Sequence, residues 1–221
     1  MTERSELIEL HNRLSKTLDE ERVAAKDKRH VKGYRTAREN LDDLVDKDTF
    51  FEYGQLAIAA QKSRREVEDL RTETAADGII TGFGKINGDI LEDSKALSAI
   101  IINDYSVLAG TQGYYHHKKL DRICETAEKQ NLPVIMYTEG GGGRPGDTDV
   151  HVQFAGLNIP SFSNWAKLRG KSIRIAVNNG YCFAGNAALF GTADFCISTK
   201  NSWLGMAGPA MIEGGGLGKV E

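Results

Sequence analysis

Cysteine, proline and tryptophan are scarce in this 221-residue sequence, which holds three, four and two of them. Cys124, Cys182 and Cys196 are odd in number and have no CxxC spacing, which argues against a disulfide framework and a thiolate zinc site. No apolar run is long enough to cross a bilayer, and no secretory leader is recognisable. Charge of one sign is also missing: 28 Lys and Arg face 31 Asp and Glu, for a formal net charge of −3. A general nucleic-acid or membrane-surface binder is therefore not expected, and the cysteine usage together with the lack of a leader or membrane-spanning run points to a reduced, cytoplasmic setting. The catalytic signatures are absent as well. There is no GxSxG elbow, no Walker loop, no HExxH and no Ser/His/Asp set in a recognisable context, so neither a metal site nor a hydrolase is expected.

Glycine, in contrast, is abundant. The 24 glycines crowd into the chain after residue 78. The densest stretch is LPVIMYTEGGGGRPGD, Leu132 to Asp147. An apolar run, Pro133 to Tyr137, reads as a short buried strand that empties into four glycines, Arg144 and Pro145. Bare backbone at a strand end predicts N–H groups facing a ligand at close range. A second corner repeats the logic: SIRIAVNN reads as a buried strand with Ile173, Ile175 and Val177 at period two, followed by GYCFAGNAALFGTADF, a turn and a small-residue helix opening at Ala184, Gly185 and Asn186. Preorganised N–H groups of this kind stabilise an oxyanion or enolate.

The rest of the chain supports these corners. Residues 5–25 carry Leu7, Leu10, Leu14 and Leu18 at helical spacing, with Ser5 as a candidate N-cap. Thr36 to Val45 reads as a second helix, and Phe50 to Tyr53 as an extended aromatic entry into the core. Between them Lys26, Lys28, Arg29, His30, Lys32, Arg35 and Arg38 form either a solvated mobile linker or contacts to an anionic ligand such as a nucleotide phosphate. Residues 61–76 lack an apolar face and read as a surface excursion. GIITGFGKING and SAIIIND read as strands, and the helix after them sets Leu120, Ile123, Cys124 and Ala127 on one face. His116 and His117 make a poor metal clamp, and Lys118 and Lys119 read as surface lysines able to meet a phosphate. Glu139 and Asp147 read as outward carboxylates that bond turn backbone. HVQFAGLNIPSFSNWAKLRGKS is anchored by Phe154, Leu157, Phe162 and Trp165.

Six ordered motifs, TARENLDDLVDKDTFFEYG, DGIITGFGKING, DYSVLAGTQG, PVIMYTEGGGGR, GYCFAGNAALFGTADF and GMAGPAMIEGGGLG, resemble the carboxyltransferase component of biotin-dependent acyl-CoA carboxylases, in particular its N-terminal half. The resemblance implies an α/β, crotonase-like (ClpP/crotonase) β-β-α spiral over residues 49–221, preceded by an N-terminal helical arm over residues 1–48 and expected to stop short of a second homologous domain. It implies transfer of a carboxyl group from carboxybiotin to the α-carbon of acetyl-CoA, propionyl-CoA or a related acyl-CoA. A biotin-dependent decarboxylase subunit and an inactive CoA-binding fragment stay open.

Carried over residue by residue, the family's Ser-Gly-Gly-Ala-Arg corner matches Gly140 to Arg144, making the Gly141 and Gly142 amides oxyanion donors, with Gly143 and Arg144 beside the substrate. The small-residue corner matches Ala184, Gly185 and Asn186, with Gly185 among the catalytic positions. Gly205, Met206, Ala207, Gly208 and Pro209 match the segment shaping the acyl and biotin pocket, and Ser106, Gly110, Thr111 and Gly113 fall where CoA contact is implied. Gly140 and Gly143 replace the usual Ser and Ala, and residues 89–98 look longer than the common turn. Implied partners are the biotin carboxyl carrier and biotin carboxylase components, a C-terminal carboxyltransferase domain or second subunit, and further copies of the chain in a homo-oligomer. Gly142→Val is expected to block thioester binding while leaving the fold largely intact.

Overall fold

Two runs of β-branched residues build the centre of the sheet. In the computed structural model, which describes residues 4–150, 159–216 and 218–219, IITGFGK forms β2 (Ile79–Lys85) and LSAIIIN forms β3 (Leu97–Asn103), paired antiparallel with Thr81 opposite Ile101. β1 (Phe51–Tyr53) lies antiparallel on the outer edge of β2. β4 (Val134–Tyr137), β5 (Arg174–Asn178) and β7 (Phe195–Ser198) follow as parallel neighbours, giving the order β1-β2-β3-β4-β5-β7. A separate parallel pair, β6 (Tyr181–Phe183) with β8 (Trp203–Gly205), stands beside this sheet.

Period-two alternation divides the core between the sheet's two faces, as expected for parallel strands covered on both sides. Ala99, Ile101, Val134 and Met136 pack under α6 (Tyr114–Gln130), α7 (Ser161–Lys167) and α8 (Gly185–Gly191), where Leu120, Ile123, Cys124, Ala127, Trp165 and Leu189 meet them. Ile80, Ile100, Ile102 and Ile135 face the other way, against Ala37 and Leu41 of α3 (Ala37–Leu44). The predicted apolar face of α6 is the observed one. Asn131 ends that helix in the left-handed conformation at φ 54°, a role asparagine fills with little penalty.

Several expectations are corrected. Residues 5–25 form not one helix but α1 (Ser5–Ser15) and the start of α2 (Val23–His30). The Thr17 hydroxyl donates to Leu14 O, and Asp19 turns away to accept from Thr36 Oγ1. Ser5 makes no cap bond, and α1 buries none of its residues. Within residues 61–76, α4 (Val67–Glu73) buries Leu70, and Gln61, Thr74, Ala75 and Ala76 are buried too. Phe50 packs on the core while Phe51 is exposed. On β5 the fully buried face is Arg174, Ala176 and Asn178, with Ile173 exposed. Arg174 accepts that position because it pairs with Asp194 at 2.8 Å and donates to Trp165 O at 3.2 Å. Phe154 and Leu157 lie outside the described residues. The remaining short helices are α5 (Asp93–Ala96) and α9 (Pro209–Gly214).

Thr36 closes a capping box: its hydroxyl accepts from Glu39 N at 3.1 Å, and Glu39 Oε2 accepts from Thr36 N at 2.8 Å. Thr36→Ala is expected to cost about 1 kcal/mol in chemical denaturation, without change in the sheet.

Candidate active site

The glycine corner is held as a bracket of backbone bonds. Gly140 N donates to Tyr181 O at 2.6 Å and Gly140 O accepts from Phe183 N at 2.8 Å, joining the loop to β6. Gly141 N donates to Ala109 O at 2.9 Å, and Gly142 N to Asn186 Oδ1 at 3.0 Å. Both amides predicted to face substrate are therefore engaged by the protein. The Gly143 and Gly185 amides have no hydrogen-bond partner among the described residues. Gly142 sits at φ +87°, and a Cβ there would lie 2.6 Å from the Ala184 Cβ and 3.5 Å from Gly185 N. The two corners, separated by more than forty residues, meet at this point. A Cβ on Gly143, by contrast, would have nothing within 4 Å.

Asn186 links the corners. It is wholly buried at the first turn of α8, accepts from Gly142, and has no partner for its Nδ2 among the described residues. Ala184 precedes it at φ 50°, ψ −119°, a costly conformation for a residue with a side chain, and donates its N–H to Gly205 O at 3.1 Å. Gly205 thus abuts the second corner, while Met206, Ala207 and Gly208 lead outward to α9, with Met206 69% exposed.

Arg144 turns inward. It forms a buried ion pair with Asp77, donates to Thr111 O at 2.6 Å and Thr111 Oγ1 at 3.2 Å, and has Asp147 at 3.6 Å. Asp77 and Asp147 also accept from His116 N and Tyr114 N, both at 2.7 Å, so protein carboxylates occupy the start of α6. Asp147, read as outward, is buried because it completes this network; Gly113 packs so closely that a Cβ would lie 2.5 Å from its Oδ2. Burial raises the Asp77 carboxyl above its ordinary pKa, and Arg144 opposes the shift. Lys119, also read as a surface residue, is buried; Nζ donates to Ala76 O and Ile79 O around the left-handed residues Ala76 and Asp77, and burial lowers its pKa to about 8.

Glu139, the residue before the glycines, is likewise inside. Arg29 of α2 grips it with two bonds, Nη1 to Oε1 at 2.8 Å and Nη2 to Oε2 at 2.6 Å, and stacks between Tyr34 and Tyr105 at 5.0 and 5.5 Å. The first part of the basic segment, through His30, is thus helix anchored by Arg29, and residues 31–36 are the turn that leads to α3. A second clasp joins Arg22 to Asp104 at 2.8 Å and to Ser106 Oγ at 2.9 Å. Between the clasps lies a cleft of about 530 Å³ lined by Lys28, Arg29, Lys32, Tyr105, Ser106, Ala109 and Tyr181. Gly110, at φ +62°, lets this wall approach the loop: a Cβ there would lie 2.9 Å from Gly140 Cα. No sequence pattern pairs Arg29 with Glu139 or Asp77 with Arg144; a carboxylate beside a buried strand is the signal each offers.

A second cleft, of about 470 Å³, is lined by Gln112, His117, Gly143, Arg144, Pro145, Asp147, Ile159 and Met211. Burial and Arg144 hold His117 neutral down to about pH 4. Because the unfolded chain takes up this proton near 6.5, stability falls as pH drops through that window. Relative to His117→Gln, the wild type is expected to lose about 2 kcal/mol in unfolding free energy between pH 7 and 4.5. Parallel urea titrations of the two proteins measure it.

Among the described residues no cluster of His, Cys, Asp and Glu is arranged to hold a metal ion, and no helix is long and apolar enough to cross a membrane. The profile of the carboxyl transferase domain family matches residues 28–218. The biotin-dependent acetyl-/propionyl-coenzyme A carboxylase beta5 subunit of Mycobacterium leprae is 29% identical over 96% of this chain and 36% of its own length. The methylmalonyl-CoA decarboxylase subunit alpha of Veillonella parvula is 29% identical over 92% of this chain and 38% of its own length. A solved structure of a single-chain, multi-domain long-chain acyl-CoA carboxylase superposes with a TM-score of 0.92 at 51% identity, covering all of this chain and 22% of that one. The chain spans little more than a third of the length of each of these two curated relatives. With the six-stranded sheet and its two joined glycine corners, these likenesses establish that the chain has a crotonase-like fold and belongs to the carboxyl transferase domain family.

Proposed function

We propose that this chain provides the acyl-CoA half of a carboxyltransferase site in a biotin-dependent acyl-CoA carboxylase. The observation that carries the reading is the meeting of the corners at Gly142, Ala184 and Gly185, where the Gly143 and Gly185 amides have no partner among the described residues. A thioester oxygen placed between them receives donors as the α-carbon becomes an enolate, and the start of α8 adds the same sign of field. Gly141 and Gly142, bonded to Ala109 and Asn186, then shape the loop, and reach the substrate only if those bonds open.

Lys28 and Lys32, which line the cleft beside α2, neutralise CoA phosphates, and Ser106 borders the same path. Biotin, arriving on its carrier, supplies the activated carboxyl group; this chain's part is to orient the thioester and stabilise its negative charge. Phe195 and Ile197 on the edge strand β7, Trp203 and Leu204 on β8, and Met206 and Met211 beyond it are exposed. A second crotonase-like domain, from this protein or another subunit, covers them and completes the pocket. The relative named for long-chain acyl-CoA makes a long-chain thioester the first substrate to test.

Free carboxybiotin and an acyl-CoA, incubated with this chain by itself, are expected to give carboxyacyl-CoA no faster than buffer; with the complementary domain, transfer appears. Robust product from the chain without that domain contradicts the shared site. Loss of CO2 from a carboxyacyl-CoA in the presence of a biotin acceptor as the favoured direction marks a decarboxylase instead.

A further inference from the structure

The sequence offers no Ser, His and Asp in recognisable context, yet the fold brings three together. His117 Nδ1 lies 2.8 Å from Ser161 Oγ, and Ser161 Oγ lies 2.6 Å from Asp121 Oδ1. His117 and Asp121 are one helical turn apart on α6, and Ser161 opens α7. The serine is in the middle, so this is no nucleophile relay. Its one proton goes to the carboxylate, which only accepts; its oxygen then accepts from His117, and the proton of a neutral His117 is fixed on Nδ1. Nε2 is left as a lone-pair acceptor with no partner among the described residues. Desolvation keeps the ring neutral.

His117 lines the same cleft as Gly143, whose amide has no partner among the described residues, and Gln112, whose buried Nε2 has none there either. Pro145, Ile159 and Met211 supply the apolar wall, and the other two lining residues, Arg144 and Asp147, are committed to the buried network with Asp77, Thr111 and the start of α6. One fixed acceptor beside these donors, against an apolar wall, complements a group carrying both N–H and C=O on an aliphatic chain. We propose that His117 is a binding residue whose Nε2 accepts an N–H of an amide or ureide in the ligand, with Ser161 and Asp121 as positioning residues that lock its tautomer. The proposal rests on the carboxyltransferase reading, under which two ligands carry that chemistry: the pantetheine arm of acyl-CoA and the ureido ring of biotin.

The test compares S-propionyl-pantetheine, an S-propionyl alkanethiol without amides, and biotin methyl ester, each titrated calorimetrically into the wild type, His117→Leu and His117→Gln. A lost acceptor facing a buried N–H corresponds to a loss of roughly tenfold or more. His117→Leu is expected to weaken one of the two N–H ligands by that factor, to leave the amide-free thioester within about twofold, and to be rescued by His117→Gln, whose Oε1 accepts. Which ligand responds identifies the source. Ser161→Ala, which keeps the ring, is expected to weaken the same ligand severalfold. Nitrogen NMR of the wild type gives a readout independent of variant folding: Nε2 resonates as an unprotonated nitrogen and moves on adding the responding ligand. Wild-type binding that His117→Leu and Ser161→Ala leave unchanged, or a proton found on Nε2, overturns the assignment and leaves the carboxyltransferase reading standing. Absence of wild-type binding to every probe overturns both.

Discussion

Arg144→Ala is expected to destabilise the protein by about 3–5 kcal/mol, because it strands the Asp77 carboxylate in the interior without its cation. Asp77 has no exposed surface, and Arg144 is the ion-pair partner the structure gives it. The damage does not stop at one pair. Arg144 also ties the end of the glycine corner to both the carbonyl and hydroxyl of Thr111, and Asp77 and Asp147 hold the first amides of α6. Removing the guanidinium therefore loosens the loop, the helix start and the left-handed turn at Ala76 and Asp77 together, and acyl-CoA binding should fall with stability. Lys is not expected to rescue, since a point charge cannot reproduce the forked bonds to Thr111. In denaturant titrations the double variant Asp77→Ala/Arg144→Ala is expected to cost less than the sum of the singles. A cost below about 1 kcal/mol for Arg144→Ala contradicts a network that holds the corner in place.

The second large effect separates two adjacent glycines. Gly142→Val forces a β-branched residue to φ +87° and drives its Cβ against Ala184, so about 2–4 kcal/mol of stability is expected to go along with binding. This corrects the expectation that the substitution spares the fold. Gly143→Val is the cleaner probe. Its Cβ meets no atom within 4 Å, so stability should change by about 0.5 kcal/mol or less, while the isopropyl group enters the space reserved for the thioester and weakens acyl-CoA binding at least tenfold. Gly143→Ala, the residue usual at this position in the resembled family, should be nearly neutral in both respects. Equal behaviour of Gly142→Val and Gly143→Val in denaturation contradicts the packing of the two corners.

What the sequence disclosed follows from the range over which its patterns act. The strands of β2 to β4 and the buried face of α6 were legible because alternation and helical spacing are local, and so were the positions of the two corners, though not that the Gly141 and Gly142 amides are taken up by Ala109 and Asn186. The contact between the corners was not legible, since it depends on Asn186 reaching Gly142 across the sheet's edge. Buried charge misled most. Arg29, Lys119, Glu139, Asp147 and Arg174 look like surface residues until their partners are known, and the partners of Arg29 and Glu139 lie 110 positions apart. On β5 the apolar face was half right: Ile175 and Val177 pack half-buried on the core, but Ile173 is exposed, and Arg174 and Asn178 are buried on the opposite face because Asp194, Trp165 and Trp203 receive their hydrogen bonds. Hydrophobicity alone points the other way.

The central claim is that the joined corners receive the thioester of an acyl-CoA. Calorimetric titration of the purified protein with acetyl-CoA, propionyl-CoA, a long-chain acyl-CoA and free CoA, repeated on Gly143→Val, tests it most directly. The account predicts affinity that depends on the acyl group and an acyl-dependent increment that Gly143→Val abolishes while free CoA binding persists through the cleft at Lys28 and Lys32. Equal affinity for CoA and every acyl-CoA, unchanged in Gly143→Val, would contradict it.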